Sequence, residues 1–403
     1  MAPSDRGFVH EALVVPVWLD APRPAVVAGD LAGLELPTAP MLAQALGTLA
    51  RLPSAGLDPE RPAVMLDLES TGLIGQPGAL VCVVGAAWHV APDRLRVEQW
   101  SLGRVGAEAA MLADLDAVLR TRVGPRCALV TFNGASFDLP LLRRRLVRHG
   151  IYGPTEDPLR SPHVDLLPPA RRLWRDRGPD CRLGTLERHH LRLVRQGDVG
   201  GAEVVELLWR WLEEPGPRAA EDLARVQRHN RIDVLSLAAL AYTMHGRLHG
   251  PVDAVERLRA ARHHDRLERP EPALAVLEPL LHALARGAAR RQGSDLVLEA
   301  GLLAAEIDRK AGRHDEAARG WARVCRAAPG HPQAHEALAK HLEHRARQPA
   351  AALAVAAASA TPCERRVARL LAKLGAMQGV GRGEAVAIPP VAQVVDAWAD
   401  PRV

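Results

Sequence analysis

The amino-acid sequence predicts an α/β domain followed by an all-α region. Between residues 62 and 245, apolar runs of strand length alternate with stretches in which apolar residues recur at helical spacing. From about Glu256 the chain is rich in alanine, leucine and arginine, with short breaks that are typical of successive helices. Aromatic residues make up only 3% of the 403 residues, so leucine, valine and alanine must fill most of the core.

Three strands are predicted at the start of the α/β domain. Ala63–Glu69 and Ala79–Val90 are apolar runs, and the turn "APD" leads into a more regularly alternating run, Arg94–Leu102. We expect these strands to form an antiparallel meander. Residues 1–60 contain one further strand, Ala12–Trp18, in a segment otherwise punctuated by proline and glycine, and the sequence assigns them no role.

Helices and shorter strands follow the meander. The predicted helix, strand, helix and strand are Glu108–Val123, Cys127–Phe132, Phe137–Arg148 and His163–Leu166. The remainder to Met244 is predicted to be helical, apart from loops at 195–201 and 213–218. Three strands, helix, strand, helix, strand is the order of a ribonuclease-H-like domain, in which the meander continues into a parallel half. We therefore predict a ribonuclease-H-like mixed sheet flanked by helices.

The C-terminal region is predicted to contain helical repeats. Aligning Ala317 with Ala351 gives an offset of 34 residues at which several further positions match. A helix–turn–helix period of this length, with small residues at the helix contact, is the tetratricopeptide signature. A plain helical bundle is the alternative. The predicted parts are an N-terminal extension, the ribonuclease-H-like domain, the helical repeats and an irregular tail, at residues 1–60, 61–250, 256–375 and 376–403.

Charge and cysteine usage narrow the class of protein. With 52 basic and 47 acidic residues the net charge is +5, which is mildly basic and compatible with a nucleic-acid partner. The five cysteines are far apart and form no CxxC pair, which excludes a disulfide framework or a zinc knuckle and favours the reducing cytoplasm. The first residues lack the pattern of a signal peptide. No apolar run approaches the roughly 18 residues that cross a bilayer, so no membrane association is expected.

Two acids follow the apolar part of the first predicted strand, in "AVMLDLESTGL" (63–73). Because successive side chains of a strand alternate between its faces, Asp67 and Glu69 point the same way and lie close together. Two carboxylates on one face repel each other. The pair therefore requires either solvent or a cation.

Two further acids lie on predicted helices. Asp138 begins a helix after a strand and a small loop, in "LVTFNGASFDLPLL", and Asp233 lies within a late helix, in "HNRIDVLSL". His229 precedes Asp233 by four residues and therefore shares its helix face. Each acid has a structural alternative, because Asp138 also suits the positive end of its helix and Asp233 could be a solvated helix residue.

Together, the four acids indicate a metal site. Carboxylate oxygens without nearby cysteine ligands suit a hard cation such as Mg²⁺ or Mn²⁺. Two such ions about 3.5–4 Å apart can clamp the attacking and leaving oxygens of a phosphodiester displacement. The metals would then supply the counter-charge that the carboxylates require.

Three motifs resemble those of the DEDD 3′–5′ exonucleases. They are "DLESTGL" (67–73), "NGASFDLPLL" (133–142) and "HNRID" (229–233). The sequence also resembles the YprB-like ribonuclease-H-like family in three additional stretches, which are "HVDLL" (163–167), "CRLGTLE" (181–187) and Gly201–Glu203. The resemblance covers about residues 62–245. Members of that family are predicted metal-dependent exonucleases, often fused to tetratricopeptide-like repeats.

The resemblance implies roles for individual residues. The residues that would hold two divalent ions are Asp67, Glu69, Asp138 and Asp233. Those that would contact the terminal nucleotide are Thr71, the backbone of Gly72 and Leu73, Asn133 and Phe137. Phe137 is a candidate stacking platform for a base, with a buried core aromatic as the alternative.

His229 departs from both patterns of the exonuclease family. In the histidine subclass the general base precedes the last aspartate by five residues, and in the tyrosine subclass by four. Here the four-residue position holds a histidine. Imidazole can act as a base near neutral pH, so His229 would either orient or activate water or be a structural histidine. Asp165 in "HVDLL" is either an additional acid of the cleft or a cap between strand and helix.

The sequence therefore predicts a Mg²⁺- or Mn²⁺-dependent nuclease, in particular a 3′–5′ exonuclease acting on a single-stranded nucleic-acid end. His229 would be its general base. The helical repeats would bind a protein partner or extend the substrate path. The alternative is a non-catalytic nucleic-acid-binding or adaptor protein on the same fold. The four acids argue against that alternative, because a phosphate-binding surface would gain from losing them.

Overall fold

The computed structural model shows a mixed sheet with helices in the N-terminal part of the chain and a helical C-terminal part. The described residues are 6–17, 34–52, 56–72, 76, 78–123, 126–152, 159, 162–286, 294–380 and 386–399. The chain divides into two compact units, residues 1–246 and 247–403. Within the described ranges, none of the helices combines the length and the apolar character needed to cross a bilayer.

In the described part of the first unit, six strands form one sheet in the order β1-β4-β3-β2-β5-β6. They are β1 Phe8–Pro16, β2 Ala63–Ser70, β3 Val81–Ala91, β4 Arg94–Leu102, β5 Ala128–Thr131 and β6 His163–Asp165. The pairs from β1 to β2 across the sheet are antiparallel, and β2, β5 and β6 run parallel. The meander therefore continues into a parallel half at β2, as the element order predicted.

Seven helices flank this sheet among the described residues. They are α1 Ala39–Leu49, α2 Glu108–Arg122, α3 Asp138–Arg148, α4 Leu167–Trp174, α5 Leu183–Leu186, α6 Gly201–Glu213 and α7 Pro217–His249. A π-helical turn, Glu187–Leu191, follows α5. The core joins apolar residues of β2, β3 and β4 to those of α2, α3 and α6, for example Leu66, Trp100, Leu112 and Leu142. Their burial fixes these helices against the sheet.

The second unit consists of helices in its described part. They are α8 Ala254–Arg266, α9 Pro270–Ala285, α10 Ser294–Lys310, α11 His314–Ala327, α12 Pro332–His344, α13 Pro349–Ala357, α14 Glu364–Val380 and α15 Val391–Ala399. Each helix from α8 to α13 packs on the next one, and α15 packs on α11 and α13. Small residues allow close packing, because a Cβ on Gly320 of α11 would lie 2.8 Å from the Cβ of Ala305 of α10.

The N-terminal segment differs from the sequence prediction. The strand predicted at Ala12–Trp18 is observed at Phe8–Pro16, and Trp18 lies outside the described residues. Helix α1 was not predicted, because the prolines around it suggested a loop. Pro40 lies in the first turn of α1, where a proline ring fits the helix and no amide hydrogen bond is lost. The helix is held by its buried apolar face, which includes Leu42 and Leu46.

Helix α7 approaches the sheet closely at Gly85 of β3. A Cβ on Gly85 would overlap Asn230 Oδ1 and lie 2.8 Å from Val234 Cγ2. Gly85 pairs with Asp67 of β2 on one side and with Gln99 of β4 on the other. The buried Asn230 amide lies over this row, and its Oδ1 accepts a hydrogen bond from Gln99 Nε2 at 2.9 Å. The glycine thus leaves the space that brings α7 beside Asp67.

Gly85→Ala is expected to lower the free energy of unfolding by about 1–3 kcal/mol, because the added methyl group overpacks the contact between α7 and the sheet. Gly246→Ala in the same helix is the matched control, since a Cβ there meets nothing within 4 Å. It should be neutral or slightly stabilising. Urea denaturation of both variants measures the difference, and equal stabilities would contradict the close approach.

Candidate functional site

The four acids singled out in the sequence come from three elements. Asp67 and Glu69 lie in β2, Asp138 is the first residue of α3, and Asp233 lies in α7. Because β2 and β5 are parallel, the loop from β5 to α3 leaves the sheet at the edge where β2 ends. Helix α7 crosses the sheet at Gly85, the partner of Asp67. The topology therefore brings residues that are distant in sequence to one edge of the sheet.

Burial and neighbouring acids raise the pKa of three of the four carboxylates. Burial raises the pKa of Asp67 well above its ordinary value, and the charges of Asp233, Glu69 and Asp138 add to this effect. Burial and the charge of Asp233 raise the pKa of Glu69 to about 8. Burial and the charge of Asp165 raise the pKa of Asp138 to about 7. Without a cation, therefore, Glu69 is largely protonated and Asp138 is partly protonated at neutral pH.

His229 lies between two of these acids. Its Nε2 is 3.5 Å from Asp233 Oδ2 and 3.7 Å from Glu69 Oε1, while its Nδ1 is 2.7 Å from Asp198 Oδ1. Burial lowers the pKa of His229, but the hydrogen bond to Asp198 and the charges of Asp233 and Glu69 outweigh burial and raise it to about 9. The ligand atoms of Glu69, His229 and Asp233 all lie within 4.8 Å of one another. This cluster could hold a metal ion.

A buried arginine, Arg195, also contacts the cluster. Its guanidinium forms an ion pair with Asp233 Oδ1, and it binds Glu187 through Nε at 2.7 Å and Nη2 at 2.5 Å. Its Nη1 lies 3.3 Å from Asp198 Oδ2. Burial acts to lower the pKa of Arg195, but the charges of Asp233 and Glu187 hold that pKa above its usual range. The guanidinium is therefore a permanent cation beside the acids.

The Asp67 carboxylate is oriented by an amide of α7. Asn230 Nδ2 donates hydrogen bonds to Asp67 Oδ2 at 2.8 Å and to the Asp67 carbonyl oxygen at 3.1 Å. Both bonds are made to one residue, so they fix the side chain relative to its own strand. Asn230 thereby links the packing of α7 to the position of the first acid.

Asp165 organises the loop between β5 and α3. Its Oδ1 accepts hydrogen bonds from the amides of Asn133 at 2.8 Å and Leu167 at 3.0 Å, and its Oδ2 accepts one from Ala135 at 3.2 Å. These bonds stabilise Asn133 at φ +65°, a backbone conformation that is uncommon outside glycine. The contact with the Leu167 amide ties the end of β6 to the start of α4, although Leu166 and not Asp165 is the N-cap residue of that helix. The charge of Asp165 also acts on Asp138.

A cleft of about 440 Å³ borders the acids. Its lining includes Glu69, Thr71, Gly72, Phe137, Asp138 and Gly201. Phe137 is 43% exposed, so the alternative of a buried core aromatic is wrong. Thr71 is buried, and its Oγ1 accepts a hydrogen bond from the Leu80 amide at 3.0 Å. Leu73, also predicted to contact the nucleotide, lies outside the described residues.

Four residues of this network were not identified from the sequence: Glu187, Arg195, Asp198 and Asn230. Arg195 and Asp198 lie in the predicted loop 195–201, where no periodicity links a side chain to a distant helix. Asn230 carried a weak signal, since it stands next to His229 within the third motif. Glu187 is the last residue of the stretch "CRLGTLE", and no residue spacing in that stretch predicts a buried ion pair.

Comparisons with known proteins agree with the observed architecture. Residues 64–245 match a family model described as the RNase_H superfamily. Over 230 residues the chain is 31% identical to the uncharacterized protein YprB of Bacillus subtilis (strain 168), an alignment that covers 53% of this chain and 50% of that relative. The chain thus spans about half the length of this relative. These matches support a ribonuclease-H-like family for the first unit, and with the mixed sheet and the helical C-terminal region they confirm the predicted fold class.

The raised pKa of Glu69 predicts how the stability of the metal-free protein depends on pH. Its pKa is about 8 in the folded protein against an ordinary 4.5, so the unfolded chain loses this proton first as the pH rises. The contribution of Glu69 to stability is thus fully present below about pH 4.5 and is lost as the pH rises through about 8. Glu69→Gln should therefore raise the free energy of unfolding at pH 8, by on the order of 1–2 kcal/mol, with little effect at pH 5.

Urea denaturation in the presence of a chelator at both pH values measures this difference. Glu206→Gln in α6 is the control, because the Glu206 side chain is 72% exposed, and it should change stability little at either pH. A Glu69→Gln variant that is less stable than the wild type at pH 8 would contradict the electrostatic description of the site.

Proposed function

We propose that this protein is a divalent-metal-dependent 3′–5′ exonuclease that hydrolyses phosphodiester bonds at a single-stranded nucleic-acid end. The observation that carries the proposal is the convergence of Asp67, Glu69, Asp138 and Asp233 with His229 at one edge of a ribonuclease-H-like sheet. The superfamily match supports nuclease-type chemistry. The exonuclease activity and its 3′–5′ polarity rest on the resemblance of the three motifs.

The residues present fit a divalent cation. The donor set is dominated by carboxylate oxygens, which suit Mg²⁺ or Mn²⁺. Burial and neighbouring acids raise the pKa values of Glu69 and Asp138, and a bound cation would offset both effects. In the proposal, Asp67, Glu69, Asp138 and Asp233 hold two ions. When bound, the ions would activate water and stabilise the charge that develops on the phosphodiester.

The chain's own groups supply proton transfer and substrate positioning. Asp198 holds His229 Nδ1, so that Nε2 faces Glu69 and Asp233. Because the charges of Asp233 and Glu69 help to raise the pKa of His229 to about 9, Nε2 would accept a proton from water near neutral pH only when a bound cation offsets those charges. The exposed ring of Phe137 offers a stacking surface for the terminal base. The other proposed contacts to the terminal nucleotide are Thr71, the backbone of Gly72 and Leu73, and Asn133.

The helical second unit is proposed to form tetratricopeptide-like repeats that bind a protein partner. Successive packing of α8 to α14 and the close contact between Gly320 and Ala305 support this proposal. A cytoplasmic location is proposed as well. It is supported by the five cysteines, all of which are free thiols. A purely non-catalytic binding role is less well supported, because an acidic cluster without a bound cation offers a phosphate backbone no attraction.

End-labelled oligonucleotides test the activity and its polarity. With Mn²⁺ and single-stranded DNA or RNA labelled at the 5′ end, we expect a ladder of progressively shorter products. The same strand labelled at the 3′ end should release its label at once as a mononucleotide. A chelator should abolish both reactions. Release of the 5′ label first, or internal cleavage of a circular strand, would contradict the proposed polarity or the exonuclease activity.

Asp67→Asn and Asp138→Asn are each expected to reduce Mn²⁺-dependent turnover by about a hundredfold or more, because each variant removes a proposed metal-ligand charge. Asp222→Asn is the matched control. Asp222 lies on α7 and pairs with Arg210 at 2.7 Å, and turnover should persist in that variant. Circular dichroism checks that all three variants are folded. Unchanged turnover in the Asp67 and Asp138 variants would rule out the assignment of these ligands.

A further inference from the structure

Arg195 lies in a loop that is held in place by burial of Leu193 and by a hydrogen bond from α7. Arg192 and Gly197 adopt left-handed backbone conformations, at φ 55° and 62°, and turn the chain on either side of Arg195. Leu193 is buried, and Arg228 Nη1 of α7 donates a hydrogen bond to the Gln196 carbonyl oxygen at 3.0 Å. The loop thus holds Arg195 against α7 near Asp233.

The Arg195 side chain is only 7% exposed. A guanidinium buried to this extent does not reach a phosphate in the cleft, so any effect on the reaction must pass through the groups that it contacts. Those groups are Glu187, Asp198, His229 and Asp233. Two of them, His229 and Asp233, belong to the candidate metal cluster.

The contact with Asp233 separates the roles of its two oxygens. Arg195 Nη2 binds Asp233 Oδ1, which leaves Oδ2 facing His229 Nε2 at 3.5 Å. Glu187 holds the other side of the guanidinium through two hydrogen bonds, at 2.7 and 2.5 Å. Since Glu187 is fully buried, it fixes the plane of the guanidinium and thereby selects the oxygen of Asp233 that remains available.

The contact with Asp198 extends the same control to the imidazole. Arg195 Nη1 lies 3.3 Å from Asp198 Oδ2, and Asp198 Oδ1 lies 2.7 Å from His229 Nδ1. Arg195 Nη1 is itself 3.1 Å from His229 Nδ1. The ring is therefore held on its Nδ1 side, and Nε2 is left to face Glu69 at 3.7 Å.

We propose that Arg195 is a positioning residue that holds Asp233 and His229, so that Asp233 Oδ2 and Glu69 are preformed as ligand atoms and His229 Nε2, the proposed base, lies beside them. The inference rests on the proposed function, because that function supplies the divalent ion that these atoms would bind. Residues that do not bind the metal but form hydrogen bonds to its ligands orient those ligands and raise the affinity for the metal. A guanidinium that served only as a counter-charge would instead compete with the metal, and its removal would tighten binding.

A charge-matched double variant separates these two effects. Arg195→Met together with Glu187→Gln removes one positive and one negative charge, so the net charge of the protein is unchanged. It also avoids a buried, unpaired Glu187 carboxylate, which a single Arg195→Met variant would leave. Isothermal titration of the full-length protein with MnCl₂ should show a Kd for Mn²⁺ that is about 10- to 100-fold higher than that of the wild type. Equal or tighter binding overturns the proposal.

Arg195→Lys provides an independent measurement, and it keeps the proposal testable if the double variant does not fold. Lysine retains the positive charge but cannot reproduce the planar, multiply bonded geometry of the guanidinium. Weaker Mn²⁺ binding by this variant supports a positioning role, whereas binding equal to the wild type overturns it.

A second buried arginine supplies the matched control. Arg145 binds Glu108 through Nε at 2.9 Å, and their side chains are 9% and 2% exposed, so this pair resembles the pair formed by Arg195 and Glu187. Arg145→Met with Glu108→Gln should leave the Kd for Mn²⁺ unchanged. Equal weakening in the control and in the Arg195 variant would overturn the inference, because general loosening of the fold would then account for both.

These measurements distinguish failure of the Arg195 proposal from failure of the proposed exonuclease function. A wild-type protein that binds Mn²⁺ but hydrolyses no oligonucleotide refutes the exonuclease, while the Kd ratios still decide the role of Arg195. A wild-type protein that hydrolyses oligonucleotides, with a double variant that binds Mn²⁺ equally well, refutes only the role of Arg195. A wild-type protein that binds no Mn²⁺ overturns both.

Discussion

The gathering of four half-buried carboxylates at one edge of the sheet is the constraint on which the site depends, because burial and neighbouring acids oppose the ionisation of Asp67, Glu69 and Asp138. Among the described residues, Arg195 contacts Asp233 and His229 lies near Glu69, both on the side of α7. Asp67, in contrast, receives hydrogen bonds from the neutral amide of Asn230. The demand for additional positive charge is therefore greatest beside β2 and the start of α3, which is the side that borders the cleft.

The distance between the acids is set by how α7 lies on the sheet. A row of hydrogen bonds, called here the polar seam, joins α7 to β4. In it, Gln227 Nε2 donates to Ser101 Oγ at 2.8 Å, and Arg231 Nε donates to Gln99 Oε1 at 3.0 Å. Gln99 Nε2 in turn donates to the Gln227 carbonyl oxygen at 2.8 Å. Asn230 lies within this seam and contacts Asp67 directly. One group of hydrogen bonds thus fixes both the helix and the first carboxylate.

Local patterns predicted much of the fold and several of the candidate side chains that lie near one another. The alternation of Arg94–Leu102 matches β4, and Asp138 is the first residue of its helix, as expected. The four-residue spacing of His229 and Asp233 correctly predicted two neighbouring side chains, because a helix fixes that geometry within one turn.

Features that depend on distant partners could not be predicted in the same way. Pairing of β1 with β4 and the contact of Arg195 with Asp233 join segments that share no local period. Helix α1 was missed because Pro40 suggested a break, although its position in the first turn favours a helix. The sequence left Asp165 as either a cleft acid or a cap, and only the folded structure shows that its carboxylate binds the amides of the loop while its charge acts on Asp138.

The polar seam beneath α7 has a consequence for registry. An apolar interface tolerates sliding, since aliphatic side chains pack acceptably in several alternative arrangements. Here, a shift of α7 by one turn, about 5.4 Å along its axis, would leave buried amides without hydrogen-bond partners. Each lost partner would cost about 1–3 kcal/mol. Metal chemistry tolerates misplacement of only about 0.5 Å. The directional hydrogen bonds thus fix the position of α7 along its axis. A more hydrophobic interface would hold the helix against the sheet but would define its axial position less sharply.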